Sequence, residues 1–98
     1  MKVNINAVHF KADQKLENFI TSKIEKLVSR YTDILGAEVM LKVDKPEAPI
    51  NKIAEVKLLI KGNDLFASKQ CDTFEEAIDQ GVDALKKQLE KHRAKFIK

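Results

Sequence analysis

Residues 53–80 read IAEVKLLIKGNDLFASKQCDTFEEAIDQ, and the change of period inside this stretch decides the fold. Ile53 to Lys61 and Leu65 to Cys71 are two strand-like runs joined by Gly62-Asn63-Asp64, whose residues tolerate positive φ; the pattern predicts a hairpin. Thr73 and Glu76 then have the spacing of a helix-capping box. From there the apolar period becomes helical, with Phe74, Ala77, Ile78, Val82, Leu85, Leu89 and Phe96 facing inward.

Toward the N-terminus the same two periods recur. In Lys2 to Val8, Val3, Ile5 and Ala7 alternate with Lys2, Asn4 and Asn6, as in a strand with one buried face. Asp13 offers a carboxylate N-cap to a helix reaching about Tyr31, with Leu16, Phe19, Ile20, Ile24, Leu27, Val28 and Tyr31 as its apolar stripe. Gly36 is read as the exit from that helix. A further strand, Ala37 to Asp44, alternates again before Lys45-Pro46-Glu47-Ala48-Pro49 interrupts it, since proline cannot donate to a strand ladder.

The order is therefore β-α-β-β-β-α. A right-handed crossover makes the first two strands parallel, and the short later connections favour antiparallel neighbours. Both helices then cover one face of a four-stranded sheet, giving a two-layer α/β (α+β) sandwich whose other face is largely solvated. With 98 residues, 44% hydrophobic, and no repeat or linker, residues 1–98 are expected to form a single domain.

Composition narrows function by exclusion. No stretch approaches the ~18 consecutive apolar residues of a membrane span, and the start lacks the basic and apolar regions of a signal peptide, so a cytoplasmic protein is expected. Cys71 is the only cysteine, and His9 and His92 lie far apart, so neither a disulfide nor a Cys/His metal site is expected. The glycines at 36, 62 and 81 form no phosphate loop. Cys71 is read as a small buried side chain rather than a nucleophile. Glu75, Glu76, Asp79 and Asp83 stand early in a helix, where the dipole accounts for them without acid-base work.

The net charge of +3 says little, but its placement says more. Charged residues from Asp72 to Asp83 are all acidic, whereas Ala84 to Lys98 carries Lys86, Lys87, Lys91, Arg93, Lys95 and Lys98 against Glu90 alone. Lys87, Lys91 and Lys95 follow one another at i, i+4 and form one row of positive charge; Lys23, Lys26 and Arg30, at i, i+3 and i+7, form a second. An ordinary solvated helix face accounts for either row taken alone. Like charges at i, i+4 nevertheless cost about 0.2–0.5 kcal/mol per pair, and the helix dipole explains only part of this polarity. If the helices lie side by side, the two rows make one basic surface suited to RNA phosphates. His92, placed between Leu89 and Phe96 on its helix, packs at the edge of the apolar side or contacts RNA.

The run Gly62-Asn63-Asp64-Leu65-Phe66-Ala67-Ser68, then Thr73-Phe74-Glu75-Glu76-Ala77-Ile78-Asp79, then Leu85-Lys86-Lys87-Gln88-Leu89-Glu90-Lys91-His92-Arg93-Ala94-Lys95, resembles the ribosome hibernation promoting factor family. Its members are also described as sigma-54 modulation or ribosome subunit interface proteins. The match extends to Lys23, Lys26 and Leu27 and to Leu41-Lys42-Val43, so it covers nearly the whole chain.

The resemblance implies a fold similar to double-stranded RNA-binding domains. It also implies binding to ribosomal RNA in the channel between head and body of the small ribosomal subunit, where transfer RNA and messenger RNA are sterically excluded during stress or stationary phase. Carried over by position, the RNA-contact candidates are Lys23, Lys26, Lys87, Gln88, Lys91, His92, Arg93 and Lys95; Arg30 and Lys86 rest more on charge pattern. Some relatives are basic where this chain has Ala84, so the patch begins later on the helix here. The chain looks like a short form without the C-terminal domain that pairs ribosomes. It is expected to be a monomer that needs no cofactor or metal, engages neither membrane nor DNA, and is not an enzyme. Two alternatives stay open: a general structured-RNA-binding domain, and a protein interaction module that docks a partner on Met40, Leu59 and Phe66 of the open sheet face.

Overall fold

The alternation of apolar and polar residues becomes a sheet with one dry face. In the computed structural model, which describes residues 2–31, 34–45 and 47–96 and side chains through residue 91, the elements are β1 (Lys2–Ala7), α1 (Gln14–Val28), β2 (Ile34–Val43), β3 (Lys52–Ile60), β4 (Leu65–Cys71) and α2 (Phe74–Phe96). The strands lie in the order β1-β2-β3-β4, β1 parallel to β2 and the remaining pairs antiparallel, as the connections require.

Register sorts the side chains into rows across the sheet. Ile5, Val39, Val56 and Ala67 are successive partners on the dry face; Asn4, Glu38, Lys57 and Phe66 are successive partners on the open one. Both helices close the dry face. Ile20, Ile24 and Leu27 from α1 and Ala77, Ile78, Leu85 and Leu89 from α2 join Val39, Leu41, Val56 and Leu58 in one buried cluster. Gly81 is buried among them, and a Cβ there would stand 3.8 Å from Cγ2 of Val56, an ordinary packing distance.

The caps behave as their residue types dictate. Asp13 accepts from the Leu16 N–H at 2.8 Å, and Thr73 Oγ1 accepts from the Glu76 N–H at 3.1 Å. Phe10, in the loop before α1, stacks on Phe74 at 5.2 Å and ties that loop to the start of α2.

Two sequence expectations are corrected. The first helix ends at Val28 rather than near Tyr31: the Ser29 hydroxyl donates to the Lys26 carbonyl at 2.9 Å, and its N–H closes the last turn on Glu25. Gly36 is no helix exit. It lies inside β2, which begins at Ile34, at a register shift where a Cβ would come within 3.1 Å of the Lys2 carbonyl oxygen. The glycine serves the close approach of β1, and a helix stop and a strand irregularity look alike in sequence.

Candidate nucleic-acid interface

The inward stripe of α1 fixes where its cations go. With Ile20, Ile24 and Leu27 buried, Lys23 and Lys26 fall on the flank of the helix, and Arg30 follows just beyond its cap. On α2 the stripe through Ile78, Leu85 and Leu89 puts Lys86 on the flank turned toward α1 and Lys87 about 100° further round. The result is a groove of about 230 Å³ between the helices, lined by Lys23, Lys26, Arg30 and Lys86 with Leu27, Tyr31 and Val82. Residues far apart in sequence thus converge on one basic cleft.

These cations differ in freedom. Lys23 Nζ lies 2.7 Å from Asp79 Oδ1 and 5.6 Å from the centroid of the Phe19 ring, so α2 already holds it. Lys26, Arg30 and Lys86 make no ion pair with any described residue. They are the cations of this groove free to pair with an anion.

The second basic region is separate. Lys87 borders a surface shared with Lys69, Asp79, Gln80, Asp83 and Ala84, and its Nζ lies 3.4 Å from Asp83 Oδ2 one turn back. The expected row of Lys87, Lys91 and Lys95 is therefore headed by a carboxylate, and the first lysine is partly neutralised. Lys91 is exposed. Gln88 is half-buried and donates through Nε2 to the Phe66 carbonyl of β4 at 2.9 Å, which engages it in the fold. The side chains of His92, Arg93 and Lys95 lie outside the described residues. Of the two rows expected to merge, the one on α1 meets Lys86, while Lys87 faces elsewhere.

The sequence reading did not assign Tyr31, Leu27 or Val82 to a binding surface, because each fits the apolar stripe of its helix. Nor did it foresee the Lys23–Asp79 bridge, which joins two helices and leaves no local signature. The Asp83–Lys87 pair, at i, i+4, was visible.

Elsewhere the chemistry is quiet. Cys71 is buried, and desolvation, followed by the charges of Glu76 and Asp72, raises its thiol pKa above the ordinary value, which disfavours the nucleophilic thiolate. No helix among the described residues is long and apolar enough to cross a membrane. On the open sheet face Phe66 is 53% exposed, beside half-buried Met40 and Leu59, within a surface bearing the Lys42–Glu55 and Lys57–Asp64 pairs.

Comparison with known proteins agrees with this architecture. The structure of a ribosomal subunit interface protein from Coxiella burnetii superposes with a TM-score of 0.86 over 96% of this chain and 99% of that one, at 17% identity. The N-terminal domain of Protein Y from Thermus thermophilus gives 0.79 over 94% and 99%, at 20% identity. At such identities these two establish the fold alone. Among sequences, a ribosome hibernation promoting factor of Pseudomonas putida is 30% identical over 95 residues, which cover 97% of this chain and 89% of the relative. The factor of the same name from Escherichia coli K12 is 30% identical over 96 residues, covering 98% and 97%. The family model described as Sigma 54 modulation protein / S30EA ribosomal protein matches residues 3–96. With a match running from β1 to the end of α2, the chain belongs to the Sigma 54 modulation protein / S30EA ribosomal protein family.

Proposed function

We propose that this chain is a ribosome-associated hibernation protein of the cytoplasm. Its α1 and α2 cations hold ribosomal RNA in the small-subunit channel while the body of the domain keeps transfer RNA and messenger RNA out. Relatives named for ribosome hibernation support the first part. The observation that carries the RNA contact is the convergence of Lys23, Lys26, Arg30 and Lys86 around one groove, three of them without a carboxylate partner among the described residues. Such a surface binds by neutralising phosphates and releasing counterions. The role asks for no bond making or breaking, and no cofactor.

Ribosome pelleting across a salt series tests this reading. If about six phosphates are neutralised, raising salt from roughly 50 to 200 mM weakens binding about a thousandfold. A salt-independent association would favour protein docking on the open sheet face that carries Met40, Leu59 and the exposed ring of Phe66. In that event Phe66→Ala, rather than a helix variant, abolishes pelleting. Protection of ribosomal RNA confined to the outer ribosomal surface, with transfer RNA still bound, would overturn the exclusion mechanism.

A further inference from the structure

The groove between α1 and α2 is not built like a plain phosphate clamp. A clamp needs donors and positive charge; this one has cations only on its rim, while Leu27 and Val82 supply apolar surface and Tyr31 an aromatic ring. Leu27 is buried, whereas Val82 and Tyr31 are half-buried and present their remaining surface where the groove opens. An RNA phosphate gains nothing from apolar side chains, and hydrated lysine ammonium groups keep away from them. A nucleotide, by contrast, is a flat, weakly polar base flanked by two anionic phosphates.

We infer that this groove seats one unstacked base of a bulge or single-stranded segment, with its face against Leu27, Val82 and Tyr31 and its flanking phosphates on Lys26, Arg30 and Lys86. The inference rests on the RNA reading above and adds the substrate class: RNA with an extruded nucleotide, not a continuous duplex. In an A-form helix the bases stay in the stack and offer only edges, phosphates and 2′-hydroxyls, so no base face reaches the groove. An unpaired base can be turned out, and stacking on an aromatic or a guanidinium is tolerant of base identity because every base has a π-face. Arg30, at the rim, has the planar cation that contributes to such stacking. Lys23 stays with Asp79 and marks one end of the seat.

The test compares three labelled RNA hairpins that differ at one position: fully paired, carrying a single-nucleotide bulge, and carrying the same bulge with an abasic residue. Affinities are read by fluorescence anisotropy at one salt concentration. The bulged hairpin is expected to bind about tenfold more tightly than either of the others, toward the low end of what one stacked base contributes. Val82→Phe, which fills the groove, should bring the bulged hairpin down to the abasic level. Equal affinity for all three hairpins, or an abasic bulge bound as well as the intact one, overturns the inference. That comparison uses the unaltered chain, so it decides the matter even if Val82→Phe folds poorly. Ribosome pelleting separates the two levels of the argument. Loss of ribosomes by Lys86→Glu but not by a folded Val82→Phe leaves the ribosomal reading standing and removes the base seat, whereas retention of ribosomes by Lys86→Glu counts against the phosphate-binding groove itself.

Discussion

On the flank of α2 that faces α1, Lys86 meets Lys26 and Arg30 across a groove, and among the described residues no carboxylate is paired to any of them; on the outer flank, Lys87 meets Asp83. The two lysines are adjacent in the chain and carry the same charge. What separates them is the helical period, which turns one toward α1 and leaves the other over its own acidic first turns. A count of cations therefore does not locate a binding surface. Convergence of cations from different elements is the better guide, and here only Lys23, at one end of the groove, is held by an acid among the described residues.

Charge reversal gives the largest effect and the most direct way to break this comparison. In the proposed mode Lys86→Glu replaces a phosphate contact by a repulsion, and since a hydrogen bond to a charged group contributes about 1.5–3 kcal/mol, ribosome binding should fall by roughly ten- to a hundredfold. Lys87→Glu and Lys91→Glu should cost less in the same pelleting assay. If Lys91→Glu equals Lys86→Glu, the outer row is a contact surface of equal rank and the distinction between the flanks fails.

A smaller effect of opposite sign sharpens it. Asp79→Asn frees Lys23 at one end of the groove and should tighten ribosome binding by at most about fivefold at low salt, the upper end of an exposed ion pair worth roughly 0.2–1 kcal/mol. Asp83→Asn should change binding less, because it frees only Lys87. A larger gain from Asp83→Asn would relocate the dominant contact to the outer flank.

The smallest effect concerns the scaffold beneath both flanks. Gly81→Ala adds a methyl group 3.8 Å from Val56 and removes the helix penalty of glycine, so thermal unfolding should show a gain of about 0.5–1 kcal/mol with ribosome binding unchanged. A loss of stability would mean that α2 lies closer to β3 than that distance implies.

The order of elements was legible because each carries its own local period: alternation in Val3, Ile5 and Ala7, a helical stripe from Phe74 to Leu89, and a Gly-Asn-Asp turn between two strands. Legibility failed where one residue type serves two ends. Gly36 reads as a helix stop because both a stop and a close strand approach ask for a residue without Cβ. Tyr31 continues the spacing of the α1 stripe, while the helix itself stops at Val28 with Ser29 as its C-cap. The candidate site divides in the same way. The α1 row was visible as a spacing; its meeting with Lys86 was not, because the distance between two helices is set by core packing rather than by either helix alone.

The parallel pairing of β1 with β2 bears on the order in which the molecule assembles. Lys57 finds Phe66 across a tight turn, and β2 needs only the short Pro49-containing loop to reach β3, whereas Asn4 must find Glu38 across the whole of α1. Closing that longer loop costs more chain entropy before any contact offsets it, so the three-strand meander with α2 is expected to form first and β1 to dock late. The same asymmetry runs in reverse in the finished protein: β1 sits at an edge with one neighbour and only half-buried apolar residues, so its amide protons should exchange with solvent well before those of β3.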